Sequence, residues 1–137
     1  STVEQLAPWA HSVHLKDQAL KPYDEGFLLG DIPLGQGGLD LKRMVDILQK
    51  TKPGIRFSLE LMTRDPLKVP CLTKNYWRTF PDLPAKDLAR TLRYVREHST
   101  DNLQDISRLT PEAQLAREEA NVRESLTYAR DQLGLKA

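Results

Sequence analysis

His14, in the stretch HSVHLKDQAL (residues 11–20), and Glu60, in IRFSLELM (residues 55–62), are the residues whose types and placement could do chemistry together. Each falls at a polar position of a run in which apolar residues alternate with polar ones. A neutral imidazole beside carboxylates is a suitable ligand set for Mn²⁺, Mg²⁺, Co²⁺ or Zn²⁺. The plain alternative is a hydrogen-bonded histidine at a strand end and a solvated or ion-paired glutamate. Spacing alone leaves both open. The other reactive side chains offer less. His11 falls on the face opposite His14 by strict alternation and reads as structural. Cys71 has no convincing histidine partner and reads as a small buried hydrophobe. Ser58 lacks a nucleophile-elbow context. Gly35, Gly37 and Gly38 precede a helix, as a phosphate cradle would, but match neither a P-loop nor a dinucleotide fingerprint. They are expected to permit a tight turn.

Strands must position His14 and Glu60. In AHSVHLK (residues 10–16) Val13 and Leu15 share one face and Ser12, His14 and Lys16 the other, the pattern of a strand. In residues 55–62 Phe57, Leu59 and Leu61 oppose Ser58 and Glu60, a second strand. Between them, KPYDEGFLLGDIPLGQGG reads as a Pro/Gly-rich loop too long for a hairpin, followed by a helix capped at Asp40 with Leu41, Met44, Val45 and Leu48 on its apolar stripe. The segment TKPG stops that helix. After residue 62, TRDPLKVPCLTKNYWRTFPDLP reads as a long loop leading to a helix near residues 85–98 that carries Leu88, Leu92 and Val95. A last helix begins at Thr110-Pro111, with an expected seam of Leu115, Val122, Leu126, Ala129 and Leu133 and a stop at Gly134. Its charged residues, among them Arg117, Glu118, Glu119 and Arg123, read as a solvated face with i,i+4 pairs.

Strands alternating with helices argue for an α/β fold with parallel pairing and right-handed crossovers. Two strands make a poor parallel sheet, so the arithmetic favours part of a larger α/β protein. With 137 residues, 39% hydrophobic and 28% charged, the composition is globular rather than disordered. Twenty Lys and Arg against nineteen Asp and Glu leave a formal charge of +1, which gives no electrostatic reason to expect nucleic acid or a membrane surface as partner. A single cysteine precludes an intrachain disulfide and permits a reducing compartment. No apolar run reaches the roughly 20 residues of a membrane span, and no leader pattern opens the chain, so a cytoplasmic location is expected.

Taken as a set, VHLKD, PLGQGGLDLKRMVDIL and FSLELMTRDPL resemble the last two βα units of the xylose isomerase-like TIM barrels, the sugar phosphate isomerase/epimerase family. The similarity covers roughly residues 8–98, and the tail LAREEANVRESLTYARDQLGL looks like the C-terminal helices of bacterial members. The resemblance implies the C-terminal part of a (β/α)8 barrel: residues 1–98 as its last two βα units and 99–137 as a helical extension packed on it. It implies that His14 and Glu60 are ligands of a divalent metal (Mn, Mg, Co or Zn), the remaining Glu and Asp ligands coming from earlier strands that this chain lacks. The implied reaction is proton transfer next to a carbonyl of a sugar or sugar phosphate through an enediolate, with Glu60 as catalytic carboxylate. Lys16 would bind substrate oxygens or neutralise a phosphate, and Asp17 would orient His14 or meet a hydroxyl. Arg64, next to Asp65, is placed to bind a carboxylate or phosphate, or to form a loop ion pair. Trp77, beside Tyr76, is placed to stack on a sugar ring, or to plug the core. A dehydratase on the same scaffold, a metal-dependent endonuclease, and a non-catalytic fragment that self-associates through open sheet edges are the rival readings.

Overall fold

The computed structural model describes residues 1–80 and 82–136. Ser1 caps a short helix α1 (Thr2–Leu6) through a capping box with Glu4, and a 3-10 turn (Ala7–Trp9) leads from it into the first strand. Strand β1 (Ser12–Leu15) pairs in parallel with β4 (Arg56–Leu59), Val13 opposite Phe57 and His14 opposite Ser58. The helix crossing between them is α2 (Leu41–Thr51), capped as expected by the Asp40 carboxylate, which accepts from the Arg43 amide at 3.1 Å. Leu15, Leu34, Leu41, Val45 and Leu133 form the core under this parallel pair, with Phe57, Leu59 and Tyr128 packed on it. Each such side chain contributes about 1.5–3 kcal/mol by leaving water.

The segment expected to be a loop is a β-hairpin. β2 (Asp17–Tyr23) and β3 (Gly26–Ile32) pair antiparallel around Asp24-Glu25, from Asp17 opposite Ile32 to Tyr23 opposite Gly26. Pro22 is tolerated because β2 is an edge strand, where a missing N–H costs no ladder bond. Gly26 has φ +154°, and a Cβ there would stand 2.1 Å from the Val69 carbonyl oxygen, so the turn residue must be glycine. The next expected loop holds β5 (Leu67–Val69), antiparallel to β3, and a 3-10 turn (Tyr76–Thr79). The described residues therefore form a mixed α/β structure with one two-stranded and one three-stranded sheet. Helix α3 (Ala85–Glu97) covers the second sheet, burying Val95 against Leu20, Phe27 and Cys71. That burial pushes the Cys71 thiol pKa up, as suits an inert core cysteine.

Helix α4 (Pro111–Leu133) starts at the expected Thr110 cap and ends at Gly134 in the left-handed region. Its seam differs from the expected one: Leu115 and Leu126 are exposed, and Asn121, Ser125 and Leu133 are buried. Polar groups took the seam because the neighbouring loops offer partners. The Asn121 amide bonds Gln104 and Thr63, and Ser125 Oγ accepts the Leu34 amide at 3.2 Å. Of the expected surface pairs, Glu119 and Arg123 meet at 2.6 Å.

Asp17 ties these parts together. Its carboxylate is fully buried and accepts the amides of Gln18, Gly35 and Gly37, each at 2.9 Å, and of Leu39 at 3.4 Å. Asp17→Ala would orphan those amides and lower stability by about 3 kcal/mol, roughly 10 °C in Tm for a chain of this size. Gly37→Ala, whose Cβ would fall 2.1 Å from Asp17 Oδ1, would cost about 2 kcal/mol. Thermal melts followed by circular dichroism check both values.

Candidate functional site

Glu60 directly follows β4, and its amide donates to the Leu15 carbonyl at 3.0 Å, which carries the parallel ladder one residue further. That extra rung sets its carboxylate between two residues of the neighbouring strand end. His14 Nδ1–H donates to Glu60 Oε2 at 2.7 Å, and Lys16 Nζ donates to Glu60 Oε1 at 2.8 Å. Alternation puts His14 and Lys16 on one side, and the parallel register puts Glu60 beside them.

A fourth member was not legible in the sequence. Asp31 on β3 lies 3.7 Å from Lys16 Nζ through Oδ2, and accepts from Gln18 Nε2 at 3.3 Å and from the Met62 amide at 3.2 Å. Residues 21–38 read as a loop, and GFLLGDI carries no apolar/polar alternation that would mark Asp31 as a strand residue. Side-chain exposure falls from 68% at His14 through 40% at Glu60 and 31% at Lys16 to 6% at Asp31. The cluster therefore opens to solvent at the imidazole and closes at the aspartate.

The charges brace one another. Lys16's hydrogen bond, then that of His14, holds the Glu60 carboxyl below the usual glutamate range. The Glu60 hydrogen bond in turn raises the Lys16 pKa against the opposing cost of burial, with Asp31 adding to the rise. The exposed Arg64 is near enough for its charge to oppose that of Lys16.

The other expected site residues have different employment. Asp17 neither orients His14 nor faces outward: its carboxylate is spent on four backbone amides. The amides of Gly35 and Gly37, which could have cradled a phosphate, are turned onto Asp17. Arg64 does not pair with Asp65, whose Oδ1 accepts the amides of Ile106 at 2.6 Å and Ser107 at 2.8 Å. Trp77 plugs the second core: Nε1–H donates to the Cys71 carbonyl at 2.9 Å and the ring meets Tyr76 edge-on.

The donors His14 and Glu60 suit a divalent metal as far as they go. In this structure His14 Nδ1 is spent on the Glu60 Oε2 hydrogen bond and Glu60 Oε1 on Lys16, so a metal would have to displace both contacts to bind here. Among the described residues no group of three or more His, Cys, Asp and Glu could hold a metal. Comparison with protein-family models, with curated proteins and with solved structures finds no match to this chain.

Because the Glu60 pKa is depressed in the folded state, the stabilisation from its pairing is present above the unfolded pKa and fades as pH falls through the folded one. In a ¹³C NMR titration the Glu60 carboxyl should titrate below ordinary glutamates. Lys16→Met should raise that midpoint more than His14→Ala does, and an unchanged midpoint in Lys16→Met would refute the pairing.

Proposed function

We propose that the chain is the C-terminal part of a (β/α)8 barrel, and that the complete barrel is a divalent-metal-dependent isomerase or epimerase acting on a sugar or sugar phosphate. The observation that carries this reading is the Glu60 carboxylate held between His14 and Lys16 at the C-terminal ends of two adjacent parallel strands. That end of a parallel barrel is where catalytic side chains gather.

Surface area supports the larger assembly. A compact monomer of 15.6 kDa exposes about 7,250 Å²; this chain exposes 9634 Å². Among the described residues β1 and β4 pair only with each other, leaving an open edge on each side. Parallel strands are ordinarily buried within wider sheets. A groove of about 660 Å³ also runs along β4, with Ile55, Phe57, Leu126 and Leu135 in its wall. Further βα units of a barrel would cover these features.

In this reading His14 and Glu60 contribute two of the metal's donors, and the metal's charge would favour negative charge on adjacent substrate oxygens. Glu60, ionised at neutral pH, takes the proton from the carbon next to the carbonyl. The C–H electron pair moves into the new carbon–carbon double bond as the carbonyl oxygen becomes anionic. Lys16 donates a hydrogen bond to a substrate oxygen, and Arg64 meets an anionic group at the mouth. No helix among the described residues is long and apolar enough to cross a membrane.

Mn²⁺ titration by calorimetry tests the reading on this chain. Saturable 1:1 binding is expected, weakened at least tenfold by His14→Ala and by Glu60→Ala, since each removes a ligand. Mn²⁺ bound equally well by wild type and both variants would overturn the metal assignment; a folded wild-type chain that binds none would overturn a self-sufficient metal site on this chain alone.

A further inference from the structure

We propose that Asp31 is a positioning residue for Glu60, and that the β2–β3 hairpin serves to deliver it to the site. The inference rests on the reading of Glu60 as the carboxylate that takes the proton, and it needs no metal ion. One oxygen of Asp31 carries it. Oδ2 accepts the Met62 amide at 3.2 Å and lies 3.7 Å from Lys16 Nζ. It therefore ties down both the backbone two residues beyond Glu60 and the ammonium that holds the Glu60 carboxylate.

Glu60 is held from three directions as a result. Its amide donates to the Leu15 carbonyl at 3.0 Å, which fixes the chain on the near side. The Met62 amide on Asp31 fixes it on the far side. Between them His14 grips Oε2 at 2.7 Å and Lys16 grips Oε1 at 2.8 Å. A lysine paired with a single exposed carboxylate keeps much of the freedom of its long stem. Lys16 instead bridges two carboxylates at once, one partly exposed and one buried. The second contact limits the positions from which it can reach the first.

Asp31 is the fixed end of this chain of contacts. Its two hydrogen-bond donors, Gln18 Nε2 and the Met62 amide, are neutral. The ammonium supplies the charge that a carboxylate so far removed from water needs. In the hairpin Asp31 stands opposite Gln18, next to the Asp17–Ile32 pair, where four amides hold the Asp17 carboxylate. A side chain on a paired strand beside that anchor places its partner more sharply than a loop residue does. Each carboxylate oxygen has two lone pairs, so Glu60 keeps acceptor capacity for a proton while His14 and Lys16 hold it. A base held in one orientation meets the C–H bond in the geometry that proton transfer requires. Asp31 acts on Glu60 through Lys16 and Met62 and does not itself touch substrate.

NMR on the chain tests this with wild type, Asp31→Asn, Asp31→Ala, Lys16→Met and the Lys16→Met/Asp31→Asn pair, each first shown to be folded by circular dichroism. The readouts are the order parameter of the Glu60 side chain, from ¹³C relaxation, and hydrogen exchange of the Met62 amide. Asp31→Asn keeps an oxygen for that amide and removes the charge that brackets Lys16. Met62 exchange should therefore stay near wild type, while the Glu60 order parameter falls to about half. Asp31→Ala should in addition speed Met62 exchange about tenfold, the scale of one lost hydrogen bond. Lys16→Met should lower Glu60 order as much as Asp31→Asn does. Adding Asp31→Asn to Lys16→Met should lower it no further.

Glu60 order that is unchanged in Asp31→Asn, or already low in wild type, would overturn the positioning role. So would an Asp31→Asn loss of the same size in the Lys16→Met background, since a merely structural aspartate loosens Glu60 with or without the lysine. These outcomes leave the proposed reaction standing. Failure of the metal assignment, read from Mn²⁺ binding, would in turn leave the Glu60 order parameters as they are.

Discussion

A buried carboxylate with no water to solvate it must be met by donors at every oxygen, and Asp17 meets that demand with backbone amides rather than with a cation. The constraint reaches well beyond one residue. The amides come from β2 and from the 35–39 segment, so the carboxylate fixes how the chain turns from the hairpin into α2. The adjoining Leu34 amide is taken by Ser125 of α4, which fastens the last helix to the same turn. A Cβ at Gly37 would enter the space of the carboxylate, so the glycine and the aspartate require each other. The core of Leu15, Leu34, Leu41, Val45 and Leu133 closes around a loop whose path is set by electrostatics.

Lys16 and Asp17 show how one step of the chain divides fold from site. They are neighbours in sequence, at the point where β1 of the parallel sheet gives way to β2 of the antiparallel one. Alternation sends their side chains to opposite sides. Asp17 goes inward and organises the loop, while Lys16 goes to the cluster and braces Glu60. Loss of the inward anchor would displace the strand end that carries both His14 and Lys16. The histidine of the HSVHLKDQAL stretch thus owes its position to a residue that does no chemistry.

Short-range patterns were legible wherever the physics is local. The stripes of α2 and α3, the Asp40 and Thr110 caps and the Gly134 stop depend on residues within a turn or two of one another. The alternation that defines β1 and β4 is equally local, and with a helix between them it implied their parallel pairing. The hairpin was hidden because Pro22, Gly26 and Gly30 carry the composition of a loop; Pro22 fits because β2 is an edge strand, and Gly26 because the Val69 backbone approaches it closely. The α4 seam misled for a related reason. Leu115 and Leu126 have helical spacing, but Gln104, Thr63 and Leu34 made Asn121 and Ser125 the better residues to bury.

By itself the sequence determined β1, β4, the three longer helices with their ends, and the side of β1 shared by His14 and Lys16, because periodicity and capping act between residues a few positions apart. Only the tertiary structure decided that Glu60 closes onto both, that Asp31 supplies a second carboxylate, and that Asp17 belongs to the fold. Those facts rest on strand register and on the partners of backbone amides. Both are relations between segments far apart in the chain, and no local pattern encodes which distant donor a carboxylate will meet.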